Sequence, residues 1–308
     1  MHRILSQDIE KILSLPVPKH IANKLDSIDE SLIYTDLSPV DYEQYLIHVI
    51  NVLTTPITQS GPHRLQDWEK GWKENLVEFA KTQNTNLLIP KYHGKHRYVR
   101  WQGRIVNPVT KYFDYKIHTY IIDTIIDHYV KNINNIYEFG CGPAYHLLRL
   151  SSYYNDKQFF GLDWTSTSQE IIQLINEINN TSIIGNRFDF FSPDYNVIIH
   201  PNSLVYTIAA LEQVGKNFVN FIDYLLKNKP QICIHLEPMS ETLNKDSLVD
   251  LLSIKYFEKR NYLSGFLEYL SALEKQKRIE IIDVRRTYAG SYFIEGHSLV
   301  VWRPLTND

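Results

Sequence analysis

In the stretch IYEFGCGPAYHLLRL, Ile136 to Leu150, an acid, Glu138, stands two residues ahead of the first of two glycines, Gly140 and Gly142. An apolar run ends at Phe139. A helical pattern carrying Leu147, Leu148 and Leu150 begins after Pro143. Glycine lets a ligand reach the backbone within van der Waals contact, and Pro143 suits a first helical position, where its missing N–H costs nothing. A bare turn between a strand and a helix is where an open parallel sheet binds ligands. Dinucleotides favour G-x-G-x-x-G, with the pyrophosphate over the helix N-terminus. Here the third position is the bulky Tyr145, and Glu138 would repel a pyrophosphate. Such an acid suits a cation instead, an ammonium or a sulfonium.

Three more residues carry chemistry. Glu212 lies in TIAALEQVG, and His235 and Glu237 lie in CIHLEPMSE. Both segments read as strand ends, so these side chains are candidates to take a proton or touch a substrate. Glu212 also reads as a helix-start carboxylate favoured by the dipole, and His235 as a core histidine. Glu237, followed by Pro238, is the best candidate for a substrate contact. Among 12 histidines, His235-x-Glu237 is the tight pair at a strand end, and neither H-E-x-x-H nor a cysteine pair occurs. No metal site is expected.

These residues need a sheet to position them. From residue 115 on, helical patterns alternate with short apolar runs at 134–139, 158–162, 182–188, 204–209 and 232–236. Such alternation implies parallel strands with right-handed crossovers, a doubly wound α/β sheet. A capping box, Thr167-x-x-Glu170, is expected to open one of the helices. Runs at 279–284 and 298–302 have only a loop between them, which suits an antiparallel pair. The expected fold is therefore α/β, seven-stranded and mostly parallel, with an antiparallel last strand. A helical insert at 242–277 separates the fifth and sixth strands. Its Tyr256, Arg260 and Tyr262 read as a helix coat or as a pocket lining. Residues 1–113 read as a mostly helical accessory region that selects substrate, ahead of a main domain at 114–308.

Within the accessory region, Lys91 to Pro108 holds five cations (Lys91, Lys95, Arg97, Arg100, Arg104), no acid, and Tyr92, Tyr98 and Trp101 between them. It reads as a hairpin turning near Gln102-Gly103. Basic residues interleaved with aromatics can serve a nucleic-acid surface. One short patch on a chain of net charge −3 fits a solvated hairpin or a lid better.

E-F-G-C-G-x-A at 138–144 resembles the first motif of the class I S-adenosylmethionine-dependent methyltransferases, a Rossmann-like superfamily. Other family signals fall in order. Asp163 in FGLDWTST ends the second strand, Asp189-Phe190 follow the third, and Thr207 to Gly215 follow the fourth. The resemblance covers about 115–308 and departs at Ala144, where many members carry a third glycine. It implies S-adenosylmethionine as cofactor, held by Glu138, Gly140, Gly142, Asp163, Trp164, Asp189 and Phe190. Asp163 would meet the ribose, and Asp189 and Phe190 the adenine. Taken alone, Asp163 also reads as a helix cap and Asp189 as an Asx-turn residue. No N-P-P-Y run, the mark of members acting on nucleic-acid nitrogens, follows the fourth strand.

The implied activity is methyl transfer to an oxygen or nitrogen of a small-molecule, sugar or peptide acceptor, with Glu212, His235 and Glu237 as candidate catalytic residues. A methyltransferase-like binding subunit and an RNA methyltransferase using residues 91–104 are the alternatives. A nicotinamide enzyme is opposed by Tyr145 and Glu138. The chain has 308 residues, 44% of them hydrophobic and 22% charged, so a large core is available. Two cysteines, no apolar leader core and no run of membrane-span length point to a soluble, cytoplasmic protein.

Overall fold

The computed structural model describes residues 1–28, 32–293 and 298–305. The N-terminal part runs β1 (His2–Ile4), α1 (Ser6–Leu13), α2 (Lys19–Leu25), β2 (Leu32–Asp36), α3 (Pro39–Thr54), α4 (Leu65–Thr82), β3 (Val99–Trp101) and β4 (Arg104–Pro108). Ser38 caps α3 by accepting from the Asp41 amide at 3.1 Å, and Pro39 opens the helix. Helix α4 buries Trp72, Leu76 and Phe79 along one stripe. Gln102 and Gly103 join β3 to β4, both with left-handed φ, as a two-residue hairpin of primed type requires.

The rest runs α5 (Phe113–Tyr129), β5 (Asn135–Phe139), α6 (Tyr145–Tyr153), β6 (Gln158–Asp163), α7 (Ser166–Asn179), β7 (Ile184–Arg187), β8 (Ser203–Ile208), α8 (Val219–Asn228), β9 (Ile232–Glu237), α9 (Leu248–Arg260), α10 (Phe266–Lys275), β10 (Ile279–Arg285), β11 (Ala289–Gly290) and β12 (Ser298–Pro304). The main sheet has the order β10-β12-β9-β8-β5-β6-β7, and β12 is the one reversed strand. This is the expected architecture. Its strand order turns around between β5 and β8, so the crevice beyond their C-terminal ends is the place for a ligand.

Three features differ from the sequence reading. Residues 1–108 contribute β1 and β2 as well as the hairpin, and these form a second sheet, β1-β2-β4-β3-β11. Its last member comes from the connection between β10 and β12, where only a loop was expected; β11 pairs with β3 through Ala289↔Trp101 and Gly290↔Arg100. Within the 242–277 insert, α10 belongs to the main core through Phe266, Leu270 and Leu273, whereas α9 stands with α3 over the sheet's ligand edge.

The expected Thr167–Glu170 capping box does not form. Helix α7 begins at Ser166, and its cap comes from α4: Glu69 accepts the amides of Ser166 and Thr167, each at 2.9 Å, and both their hydroxyls. Glu170 instead pairs with Lys73. Glu69→Ala is expected to lower stability by about 1–2 kcal/mol, a few degrees in Tm. Although burial raises its pKa, the Thr167 and Ser166 donors hold it below the ordinary value. The wild-type advantage is therefore present above the ordinary carboxyl pKa and disappears as pH falls through the folded one. Thermal melts of both proteins at two pH values test this.

Candidate functional site

The glycine turn is stitched to β6. Gly140 and Cys141 donate to the Leu162 carbonyl at 2.7 and 3.1 Å, and Gly142 donates to Asp163 Oδ2 at 2.9 Å. Gly140 has φ +76°, and a Cβ there would lie 2.3 Å from Ala210 Cβ and 3.5 Å from the Phe190 ring. Gly142 has φ +50°, and its Cβ would meet the Trp72 indole of α4 at 2.9 Å. Pro143 is not the first helical residue. Ala144, in the left-handed region at φ 56°, turns the chain first, and α6 starts at Tyr145.

Around this turn stand the acids. Glu138 faces the same side of β5 as Ile136, and Tyr206, its neighbour on β8, donates to Oε2 at 2.9 Å. Burial pushes the Glu138 carboxyl up to about 8. Asp163 accepts three hydrogen bonds: Gly142 donates to one oxygen, and the Thr165 amide and hydroxyl donate to the other at 2.9 and 2.7 Å. Burial raises its pKa, and these donors oppose the rise. Asp189 closes an Asx turn by accepting from the Phe191 amide at 2.9 Å. Phe190 packs edge-on against Phe221 at 4.7 Å, and Trp164 faces Phe191 at 6.2 Å.

One cavity of about 350 Å³ joins these residues to the accessory region and α9. Glu138, Gly140, Gly142, Asp163, Trp164, Asp189, Phe190 and Glu212 all line it. His235 and Glu237 do not, which corrects the expectation that they contact a reactant. His235 points to the opposite face of the sheet, with Nδ1 3.0 Å from Thr207 Oγ1 and its ring edge-on to Phe266 at 5.1 Å. Burial lowers its pKa to about 3, so it is neutral. Glu237 accepts the amides of Ala210, Leu211 and Glu212 at 3.2, 3.1 and 3.0 Å and fixes the chain leaving β8. Its work is to position Glu212.

Glu212 is 5% exposed. Gln213 donates to its Oε1 at 2.8 Å, and Oε2 is buried without a hydrogen bond. Burial, then the Glu237 charge, pushes its carboxyl up to about 8. Tyr256, Arg260 and Tyr262 line the cavity beside it, so the pocket-lining reading of α9 holds.

Sequence reasoning missed the far wall: Trp68 and Trp72 from α4, and Tyr92, His93, Asp114, Tyr115 and His118 from residues 92–118. His93 Nδ1 lies 3.3 Å from Asp114 Oδ2, and the Gly94 amide donates to the same carboxylate. Burial raises the Asp114 pKa, but His93 outweighs it and holds the carboxyl below its ordinary value. His118, lowered by burial to about 4, is neutral. A histidine and an acid 21 residues apart, on a loop and a helix, leave no spacing signal in sequence.

The basic stretch is largely neutralised within the chain. Lys91 pairs with Glu78 at 2.7 Å, Arg97 with Asp41 at 3.2 Å, Arg100 with Asp250 at 3.5 Å and Arg104 with Asp36 at 3.6 Å. Arg100 is buried and ties the hairpin to α9 through the Val249 carbonyl. Among the described residues, no three His, Cys, Asp or Glu side chains converge as a metal would need. No helix among them is long and apolar enough to cross a membrane. Cys141 and Cys233 are buried free thiols.

The two raised carboxyls have a consequence for stability. Their folded pKa values near 8 exceed the unfolded value, so the folded state holds protons that the unfolded chain releases. Their stabilising contribution is complete below the unfolded pKa and is lost as pH rises through about 8. The ligand-free protein should therefore melt lower at pH 8 than at pH 6, by several degrees, and Glu138→Gln with Glu212→Gln should flatten the dependence. An unchanged slope in the double variant contradicts this assignment.

No family model and no curated protein sequence matches the chain. Its fold does have solved counterparts. The [4+2]-cyclase SpnF aligns with TM-score 0.52 at 12% identity, over 82% of this chain and 98% of that one. The methyltransferase domain of bacterial CtHen1-C aligns with TM-score 0.46 at 14% identity, over 61% and 97%. An O-methyltransferase family 2 protein from Planctomyces limnophilus DSM 3776, solved with apigenin, aligns with TM-score 0.41 at 10% identity, over 57% and 51%. The strand order and the reversed β12, with the likeness to SpnF, define the fold alone, that of the class I methyltransferases.

Proposed function

We propose that the protein transfers the methyl group of S-adenosylmethionine to an oxygen or nitrogen of a small-molecule, sugar or peptide acceptor. The observation that carries this reading is the single cavity, with the glycine turn and its acids at one end and cap-borne polar aromatics at the other. The residues fit the cofactor. Glu138 is a buried carboxyl whose raised pKa a cation would relieve, and Gly140 lies where a side chain has no room. Glu138, Gly140 and Gly142 would hold the methionine end, Asp163 and Trp164 the ribose, and Asp189 and Phe190 the adenine. Bound there, S-adenosylmethionine supplies a methyl group activated on sulfur.

The chain's own residues supply alignment, exclusion of water and a proton acceptor. Trp72, Tyr92 and Tyr256 line the cavity. His93, backed by Asp114, is the group able to take a proton from an acceptor, and Glu212 joins it once its own proton is lost above about pH 8. Four paired cations in the basic stretch favour a small acceptor over a polyanion.

Calorimetric titration with S-adenosylhomocysteine, with NAD as control, tests the reading. Micromolar binding of the first alone supports it, and binding of neither rejects the cofactor for the isolated chain. The likeness to SpnF, a [4+2]-cyclase, favours a second reading, ring formation on the same fold. Cofactor binding without methyl transfer to any acceptor of a broad panel would favour that one.

A further inference from the structure

The α9 end of the cavity holds a buried carboxyl, Glu212, and a half-buried guanidinium, Arg260, each with an unused hydrogen-bonding atom. Glu212, on the turn after β8, keeps Oε2 without a hydrogen bond. Arg260, the last residue of α9, donates Nη1 to the Thr58 carbonyl, while its Nε is buried and makes no hydrogen bond. That leaves the side-on edge of the guanidinium, the edge that grips a carboxylate with two parallel bonds. Main-chain bonds fix Arg260 in place: its carbonyl accepts the Ser60 amide at 2.7 Å, and Ser60 bonds Gln213 at 3.1 Å, the residue that also holds Glu212. The two charges act on each other, and Tyr262 acts on both. Yet no ion pair joins them directly among the described residues.

A buried polar group left partly unsatisfied is destabilising. A buried acid that a cation would ionise and a guanidinium with a free edge, held in one cavity by the same short segment, fit a ligand that brings both complements. Around them lie aromatic faces: Tyr256, Tyr262, Tyr92 and Trp68. Such faces favour a flat or apolar body and attract an ammonium. A sugar would leave both charges unmatched, and a simple amine would match only Glu212.

We propose that the acceptor site binds a zwitterionic α-amino acid, its ammonium on Glu212 and its carboxylate on Arg260, with an aromatic or apolar side chain against the tyrosines. This rests on the cofactor reading above, since the glycine turn must hold the cofactor at the opposite end. The site determines which acceptor binds and assigns no atom as the methyl receiver.

The test is calorimetry on protein saturated with S-adenosylhomocysteine, titrated with L-phenylalanine, phenethylamine and 3-phenylpropionate. The amino acid should bind at least tenfold tighter than either truncated analogue. Glu212→Gln should abolish its advantage over 3-phenylpropionate, and Arg260→Met its advantage over phenethylamine, with S-adenosylhomocysteine affinity unchanged in both. Arg260→Lys, which keeps the charge and loses the fork, should fall between. Equal affinity for the three probes, or no binding of any, overturns the proposal while the cofactor reading stands. A tenfold loss of S-adenosylhomocysteine affinity in Glu212→Gln also overturns it, by assigning the pair to the cofactor's own methionine end. Failure of the wild type to bind S-adenosylhomocysteine defeats the cofactor reading first, and this inference with it.

Discussion

Gly140→Ala is expected to abolish measurable binding of S-adenosylhomocysteine and to lower Tm by several degrees. At φ +76° an alanine costs about 1–2 kcal/mol for the left-handed backbone alone. Its Cβ would sit 2.3 Å from Ala210 Cβ, a distance no packing tolerates, so the turn or the chain leaving β8 must shift. Overpacking of that kind adds about 1–3 kcal/mol. The displaced backbone is the glycine turn proposed to hold the cofactor, so affinity is expected to fall with stability. Ala210→Gly in the same chain removes the clash and keeps the unfavourable φ. The double variant should regain part of the lost Tm, read by thermal melts, and part of the affinity, read by calorimetry. A double variant no better than the single one would show that backbone conformation alone sets the effect.

Asp163→Ala comes next in size. The carboxylate accepts three hydrogen bonds at 2.7–2.9 Å from Gly142 and Thr165, all buried. Each buried donor left unpartnered costs about 1–3 kcal/mol. The loss of Asp163 therefore frees the Gly142 amide and loosens the turn that Gly140 begins. If Asp163 also meets the ribose, S-adenosylhomocysteine affinity falls about 10- to 100-fold, two contacts at roughly a factor of ten each. Asp163→Asn separates the two roles. Its oxygen can still serve Thr165, but its amide group faces the Gly142 N–H as a second donor. A drop in Tm with unchanged affinity in both variants would reduce Asp163 to a tether of the turn.

The main sheet was legible because its central strands are buried on both faces and read as apolar runs: Ile232 to Leu236 and Ser298 to Trp302 are examples. The glycine-turn end of the cavity was legible for a related reason. Its residues sit at strand ends, and the strands announce themselves. Strands of two or three residues such as β1 and β11 carry too little pattern to register, and they form because tertiary partners offer an edge. His235 and Glu237 also lie at a strand end, and sequence could not say which face they take; pairing with β8 and β12 turns them to the core and to the Ala210–Glu212 amides. The acceptor wall was the least visible. Trp72, His93, Asp114 and Arg260 come from four separate segments, and only packing brings them to one cavity.

Strand β11 has a consequence for how the molecule comes together. Residues of β3 emerge early in synthesis, yet the edge they offer is closed only by Ala289 and Gly290, which follow nearly the whole main sheet. Until then Trp101 and Arg100 lack their last backbone partner, and Asp250, the mate of Arg100, has itself only just been made. Loops that long close late and slowly. The second sheet is thus completed after most of the main sheet has been made, and a nascent or truncated chain ending before residue 289 would leave β3 as an open edge, a template for pairing with other chains.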